Sequence, residues 1–560
     1  MRSDGKKETA RQAMSWLHGW LGILAGCLLY VIFCTGSLSF YQKHLNLWLQ
    51  PELHQSLPYT TEQQQLDFAL SYLNRTAPHA GTWQIKLANT AQPTINVSTL
   101  AYGQHLIGHE KPKQTFLDAS TGQKLTTKNT AGAEFISVLH FQLYGLPHSL
   151  GRWIVGIATL FMLVALISGI VIHKKIFKEF FVFRRGKGLR SWLDGHNITA
   201  VYSIPFQLMI SFSGLLLLIY TLMPWTIERV YPQGKSQFIT ALQHEQISTS
   251  SALVSQLEQS RGQRDHSLFA RAQPTVHSLP QLKPLLATVQ KQWKDNPVAM
   301  IIIENPNTAQ AQVEFRARYG DSLSKMKSVP FQKFNLVTGQ PIQITMQTPV
   351  AASIYNLMLA LHRASGSDMV LRALLFFSGL MGLVMIASGQ VLWVVKKQGM
   401  NKAKNSPWGL KLMQCCNVAV IVGLVLACVS YLYAARLIPD SIADRRDLEI
   451  YTFFTIWLLS FIHAALRTHR QAWLEQLGLL AGLFVLLPVV NALTGGMPLW
   501  ESLFLGQTAV AAIDIGAMVF ACIVIFIFYH IKNNKNPSQP KAKRHVRASA
   551  PVQPTEKEQI

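Results

Sequence analysis

Eight stretches of this chain run for about 20 residues with almost no charge, near 19–40, 151–172, 200–223, 370–395, 411–435, 449–466, 474–493 and 507–530. A helix rising ~1.5 Å per residue needs roughly 20 apolar residues to cross a ~30 Å hydrocarbon core, so each stretch predicts a transmembrane helix. Two long polar intervals, about 41–135 and 224–350, break the series and change its period. Within them TWQIKLA and AQVEFRARY alternate as half-buried strands do, and 62–74 and 280–294 carry helical periodicity. TFLDASTGQKL at 115–125 and KFNLVTGQPI at 333–342 each end a strand in a Thr-Gly turn. The pattern predicts a mainly α, polytopic membrane protein carrying two small α+β domains outside the bilayer.

The first 400 residues repeat. His18 in the first span is followed eighteen residues later by Gly36, and His196 in the third by Gly214 at the same spacing. The second span carries LHFQLYG from Leu139 and ends SGIVIHKK; the fourth carries LHRASG from Leu361 and ends SGQVLWVVKK. The expected order is an N-terminus and first helix (1–40), a first α+β domain (41–135), the second and third helices with a basic connection (136–223), a second α+β domain (224–350), the fourth helix (351–400), four further helices (401–533) and a disordered basic tail (534–560). The repeat spans are expected to be free of proline interruptions. The last four spans show no sign of the repeat.

Charge changes the picture in one respect. A formal net charge of +23 invites a nucleic-acid reading, but Lys and Arg collect in alternate connections: Arg2 to Arg11, Lys174 to Arg190, Lys396 to Lys411, Arg467 to Arg470 and Lys532 to Arg547. That is the positive-inside distribution, with the bilayer as partner, no nucleic acid, and both termini cytoplasmic. The first span has signal-peptide-like basic flanks but no small-residue cleavage site, and is read as retained. All six cysteines lie in or at the edge of spans, so neither polar domain offers a disulfide pair.

Five histidines sit at span ends: His18, His173 and His196 on the cytoplasmic side, His140 and His362 on the other. Imidazoles are common at membrane interfaces, yet four of these five fall at matched positions of the repeat. Neutral imidazole is a common metal ligand, and a haem iron inside a helix bundle can take axial ligands from two facing helices. The reading is two six-coordinate haem b groups, the outer on His140 and His362, the inner on two of His18, His173 and His196. On the outer side His148 competes with His140 but matches Asp368 in the repeat, so His140 is preferred; His463 is read as structural or interfacial, and Gly36, Gly169, Gly214 and Gly389 as positions for close helix approach or for room beside a macrocycle. Asp514, inside the last span, is a carboxylate to account for. No Walker A loop, dinucleotide-binding glycine motif, GxSxG elbow or HExxH is present.

RQAMSWLHGWLGILAGCLLYVIFCTGSLSFYQ, the LH…SG spans and the LDASTG turn together resemble the PepSY-associated transmembrane family over about residues 10–400. The resemblance implies a bacterial inner-membrane protein with two periplasmic PepSY domains, and for the family's dihaem b-type members a ferric-siderophore reductase activity, an oxidoreductase function. It points to His18, His140, His173, His196 and His362 as haem ligands and to a ferric siderophore or similar chelate as substrate; the electron donor, a quinol or a cytoplasmic reductase, is left open. Two other readings are a haem-free transporter or permease accessory, and a membrane-anchored PepSY module that binds or inhibits a partner.

Overall fold

The computed structural model describes residues 9–56, 60–89, 92–101, 114–173, 183–184, 188–232, 281–319, 329–342, 350–364, 369–400 and 408–533. The expected tail 534–560, most of the basic connection after His173 and residues 233–280 lie outside them. Among the described residues eight helices are long and apolar enough to cross a membrane, one at each stretch expected from the sequence. They are α1 (Ala10–Ser39), α5 (His148–Ile172), α6 (Leu189–Leu217), α9 (Met369–Met400), α10 (Trp408–Leu437, with a π-helical turn at Ala419–Gly423), α11 (Arg445–Leu466), α12 (His469–Leu493) and α13 (Thr508–Asn533). Pro205 lies inside α6, contrary to the expectation of proline-free repeat spans. The helix nevertheless runs on unbroken through it, as helices packed against neighbours in a bundle can.

Shorter helices attach to the spans. α2 (Gln42–Leu49) continues α1, α4 (Gly132–Gln142) precedes α5, and α8 (Val350–Arg363) precedes α9. The first polar interval supplies α3 (Glu62–Thr76), β1 (Thr82–Lys86), β2 (Ile95–Leu100), β3 (Gln114–Leu117) and β4 (Lys124–Leu125). The second supplies α7 (Leu282–Trp293), β5 (Val298–Glu304), β6 (Gln312–Ala317), β7 (Phe331–Asn335) and β8 (Pro341–Ile342).

The two intervals share a single sheet. Its order is β4-β3-β2-β1-β5-β6-β7-β8, the same series read outward from the centre in both directions. The seam is the antiparallel pairing of β1 with β5, Thr82 opposite Glu304 and Ile85 opposite Ile301. Trp83, Ile85, Ile301, Ile303, Val313 and Phe315 pack on one face against Leu66, Leu73, Leu286 and Val289 of α3 and α7. The repeat also explains the twin turns. Asp118 Oδ1 accepts the backbone N–H groups of Ser120 and Thr121 at 2.8 and 2.9 Å, and Asn335 Oδ1 those of Val337 and Thr338 at 2.9 and 3.0 Å. Gly122 and Gly339 then take the left-handed conformation (φ +71° each) that closes both hairpins.

Candidate functional site

The four repeat-matched histidines meet in two pairs. His140 of α4 faces His362 of α8 with ring centroids 6.1 Å apart and planes at 38°. His18 of α1 faces His196 of α6 at 6.2 Å and 71°. The first pair lies on the sheet side of the bundle and the second on the far side. Fourteen residues of α1, a rise of about 21 Å, separate His18 from Ile32, which His140 touches. His173 is not part of either pair; it forms the C-cap of α5, its backbone N–H on the Gly169 carbonyl at 3.1 Å.

One local device holds all four rings. His18 Nδ1 donates to the Ala165 carbonyl (2.9 Å), His140 Nδ1 to that of Ile32 (2.8 Å) and His196 Nδ1 to that of Met385 (2.8 Å). His362 Nδ1 donates to Ser213 Oγ at 2.8 Å, whose own proton goes to the Met209 carbonyl at 2.7 Å. Four residues after Ala165, Ile32, Met385 and Ile210 stand Gly169, Gly36, Gly389 and Gly214, each beneath the bound ring. A Cβ on these glycines would come within 3.3, 2.7, 3.1 and 3.2 Å of His18, His140, His196 and His362 respectively. The residue before each glycine is Ser168, Thr35, Ser388 or Ser213, and its hydroxyl bonds back into its own helix. The missing side chain lets the imidazole lie on the helix, and the carbonyl at the preceding turn fixes its angle.

With Nδ1 engaged in each ring, Nε2 is the nitrogen left to face the partner imidazole. Among the described residues no hydrogen bond reaches Nε2 of these four. Burial pushes the His140 imidazole below its ordinary range, and burial with His140 as neighbour pushes His362 to about 3, so both hold the ligand form at neutral pH. Metal-bound histidines ordinarily donate their second nitrogen to a carbonyl in this way. Two imidazoles facing one metal, each with a bond of about 2 Å, bring their ring centres to about 6 Å.

Each pair could therefore hold one metal ion. Among the described residues no cluster of three or more His, Cys, Asp or Glu side chains could do so. Two protein ligands suffice where a macrocycle supplies the other four, and the pairs fit a haem iron in that respect. Beside the sheet-side pair a cleft with about 770 Å³ of atom-free space, its open mouth included, is walled by Ile32, Phe33, Phe40, Met162 and Phe206 and floored by Gly36 and Gly214. Such lining suits a flat apolar ligand.

Sequence reasoning singled out the four glycines but not their partners. The carbonyls of Ile32, Ala165 and Met385 carry no side-chain signature; the dipeptides Thr35-Gly36, Ser168-Gly169, Ser213-Gly214 and Ser388-Gly389 were the available signal. His148 hydrogen-bonds Gln142 Oε1 at 3.0 Å, and His463 pairs with Glu475 at 2.7 Å, both away from the two pairs. Asp514 accepts from Trp48 Nε1 (2.8 Å) and Asn491 Nδ2 (2.9 Å), tying α2 to the last four spans.

Those spans also grip α4. Glu449 accepts from Thr130 Oγ1 and the Ala131 N–H at 2.8 and 3.0 Å, Tyr431 donates to the Gly132 carbonyl at 2.7 Å, and Arg445 reaches the Asn129 carbonyl at 3.0 Å. Arg445 and Glu449 are themselves a fully buried ion pair. The helix bearing His140 is thus anchored at its N-terminus by residues outside the repeat.

A comparison with curated proteins returns no match. The family described as the PepSY-associated TM region matches residues 15–396, which take in all four paired histidines, both halves of the sheet and well over half of the chain. The chain belongs to that PepSY-associated transmembrane family.

Proposed function

We propose that the protein is a transmembrane electron conduit that reduces ferric chelates on the sheet side of the membrane, with one b-type haem held by His18 and His196 and a second by His140 and His362. A haem bound at each pair supplies one-electron redox chemistry and gives an electron a way across the bilayer. The observation that carries the reading is the repetition: two facing imidazole pairs, every Nδ1 engaged and every Nε2 open.

The chain's own part is positional. The carbonyls of α1, α5 and α9 and the hydroxyl of Ser213 hold the imidazoles in one tautomer, the glycines clear room beside the rings, and the apolar cleft keeps water from the sheet-side pair. Reduction of chelated iron(III) takes one electron and yields iron(II), which hard oxygen donors hold far less strongly, so the metal is released without breaking the chelator. In this reading the sheet lies in the periplasm of a bacterial inner membrane, and a quinol or a cytoplasmic reductase donates electrons on the far side.

A dithionite-reduced minus air-oxidised visible spectrum of the purified protein, with haem quantified against protein, tests it. Near two b-type haems per chain are expected. Clean protein without haem from haem-replete cells would overturn the reading in favour of a haem-free permease, for which Pro205 and the buried Gln207 and Ser211 in the same span would be the starting point.

A further inference from the structure

The wall that α5 gives to the sheet-side cleft ends in a permanent charge. Val155, Thr159 and Met162 line the cleft at helical spacing, and Arg152 is the next residue of that row, one turn nearer the sheet. Its guanidinium lies over the ring of Phe141, which lines the same cleft beside His140, with Cζ 5.7 Å from the ring centre. Nη2 donates to Gln142 Oε1 at 3.4 Å, and His148 Nδ1 donates to the same oxygen at 3.0 Å. Two donors on one oxygen fix the amide. Gly151 fixes the approach of the two helices, because a Cβ there would overlap the Gln142 carbonyl, so only glycine lets the end of α4 lie on the start of α5.

Arg152 is thus held at the cleft by a neutral ring and a neutral amide, and among the described residues its buried Nε has no hydrogen-bond partner. A guanidinium cannot shed its charge, and a buried N–H without an acceptor is costly, so the group that completes this arrangement is an anion with planar oxygens, a carboxylate. The repeat sets an arginine at the matched place in α9, Arg372, but that residue is already engaged. Cleft and guanidinium together describe a ligand with a flat apolar body and a carboxylate at one edge.

We propose that Arg152 binds a propionate of the haem held by His140 and His362, with Gln142 and His148 as positioning residues for the guanidinium. The inference rests on the electron-conduit reading. A haem carries both propionates on one edge of an otherwise apolar ring, so a cation at one end of the cleft also sets which way the ring enters, with the propionate edge toward the sheet. A positive charge beside the haem favours the iron state of lower charge, so Arg152 raises the reduction potential of the sheet-side haem.

The experiment uses the full chain in dodecyl maltoside, a detergent with neither phosphate nor charge, and measures haem stoichiometry first. A spectroelectrochemical titration should give two one-electron waves, the sheet-side one being the wave that His362→Ala removes. Arg152→Gln should lower that wave by about tenfold in the ratio of reduced to oxidised haem at a set potential, about 59 mV for one electron, with the far-side wave unmoved. Resonance Raman spectra of the reduced protein should show a displaced propionate bending mode in the same variant. Arg152→Lys, which keeps the charge but loses the planar fork, should recover most of the potential while its propionate mode still differs from that of the unaltered chain.

An unchanged sheet-side potential would overturn the propionate site. So would a fall in potential with every propionate mode in place, which would make Arg152 a charge acting at a distance. An effect seen only after phospholipid is added back would assign the guanidinium to a lipid phosphate and overturn the site as well. Should Arg152→Gln fail to hold the sheet-side haem, the propionate mode of Arg152→Lys decides in the same way. Protein without haem would sink the electron conduit itself, whereas two haems indifferent to Arg152 would leave the conduit standing and remove only the propionate site.

Discussion

Each of the four imidazoles rests on two features of a neighbouring helix, a hydrogen-bond acceptor and a glycine. The glycine is the more exacting, because nothing but hydrogen fits where the ring lies. Gly36→Ala places a methyl 2.7 Å from two atoms of the His140 ring, which its hydrogen bond to the Ile32 carbonyl holds in place, at a cost of about 1–3 kcal/mol. On the proposed electron-conduit reading the expected outcome is loss of the sheet-side haem with the far-side haem retained, read from haem stoichiometry. Gly22→Ala on the same helix meets nothing within 4 Å and should leave both in place. Histidine positions were legible in the sequence because matched residues in a repeat are a visible coincidence. Which two of His18, His173 and His196 face each other was not, since it depends on how α5 and α6 rotate against α1. A different histidine supplies a pH test. His54 is wholly buried, donating from Nε2 to the Leu47 carbonyl (2.8 Å) and accepting the Met497 N–H at Nδ1 (3.1 Å). Burial lowers it from 6.5 to about 4. Between those values the unfolded chain takes a proton that the folded chain refuses, so the stability His54 contributes is complete above about pH 6.5 and is lost as pH falls through about 4. Thermal melting of His54→Gln, whose amide can serve both partners, should depend less on pH across that window.

The element that most needs support is α4, an eleven-residue helix that carries His140 and lies outside the candidate spans. Its first turn is preceded by Asn129, Thr130 and Ala131, whose polar groups go to Arg445 and Glu449. Glu449 is 0% and Arg445 1% exposed, so removing one of them strands a charge, at a cost of about 3–5 kcal/mol. Glu449→Ala should lower the melting temperature and, on the proposed electron-conduit reading, reduce sheet-side haem before far-side haem; equal loss of both would mean that α4 is held by other contacts. This gives the last four spans a role that their sequence did not disclose. Arg445 and Glu449 sit at the start of a span, where charges are usual at a membrane surface, and only the fold brings them against a segment more than 300 residues earlier in the chain.

At the scale of the molecule, the strands and the helices α3 and α7 were legible from alternation and periodicity, and the twin Thr-Gly turns from their shared residues. The joining of two expected domains into one sheet was not, because alternation shows which face of a strand is buried and says nothing of which edge finds a partner. The β1–β5 seam closes both repeats over one bundle, and its register can be tested in solution. Gln84 stands opposite Ile302, and residues so opposed in an antiparallel pair have Cα atoms about 4.5–5.5 Å apart, within disulfide reach. Gln84→Cys with Ile302→Cys should form an intramolecular cross-link on mild oxidation, seen as a linked peptide pair by mass spectrometry. Gln84→Cys with Ile303→Cys should not, since a step of one residue turns the second side chain to the face covered by α3 and α7. Linkage in the second variant, or in neither, would mean that the halves meet in another register or not at all. Like the sheet, the two histidine pairs are built jointly, each half of the repeat contributing one ring to each pair.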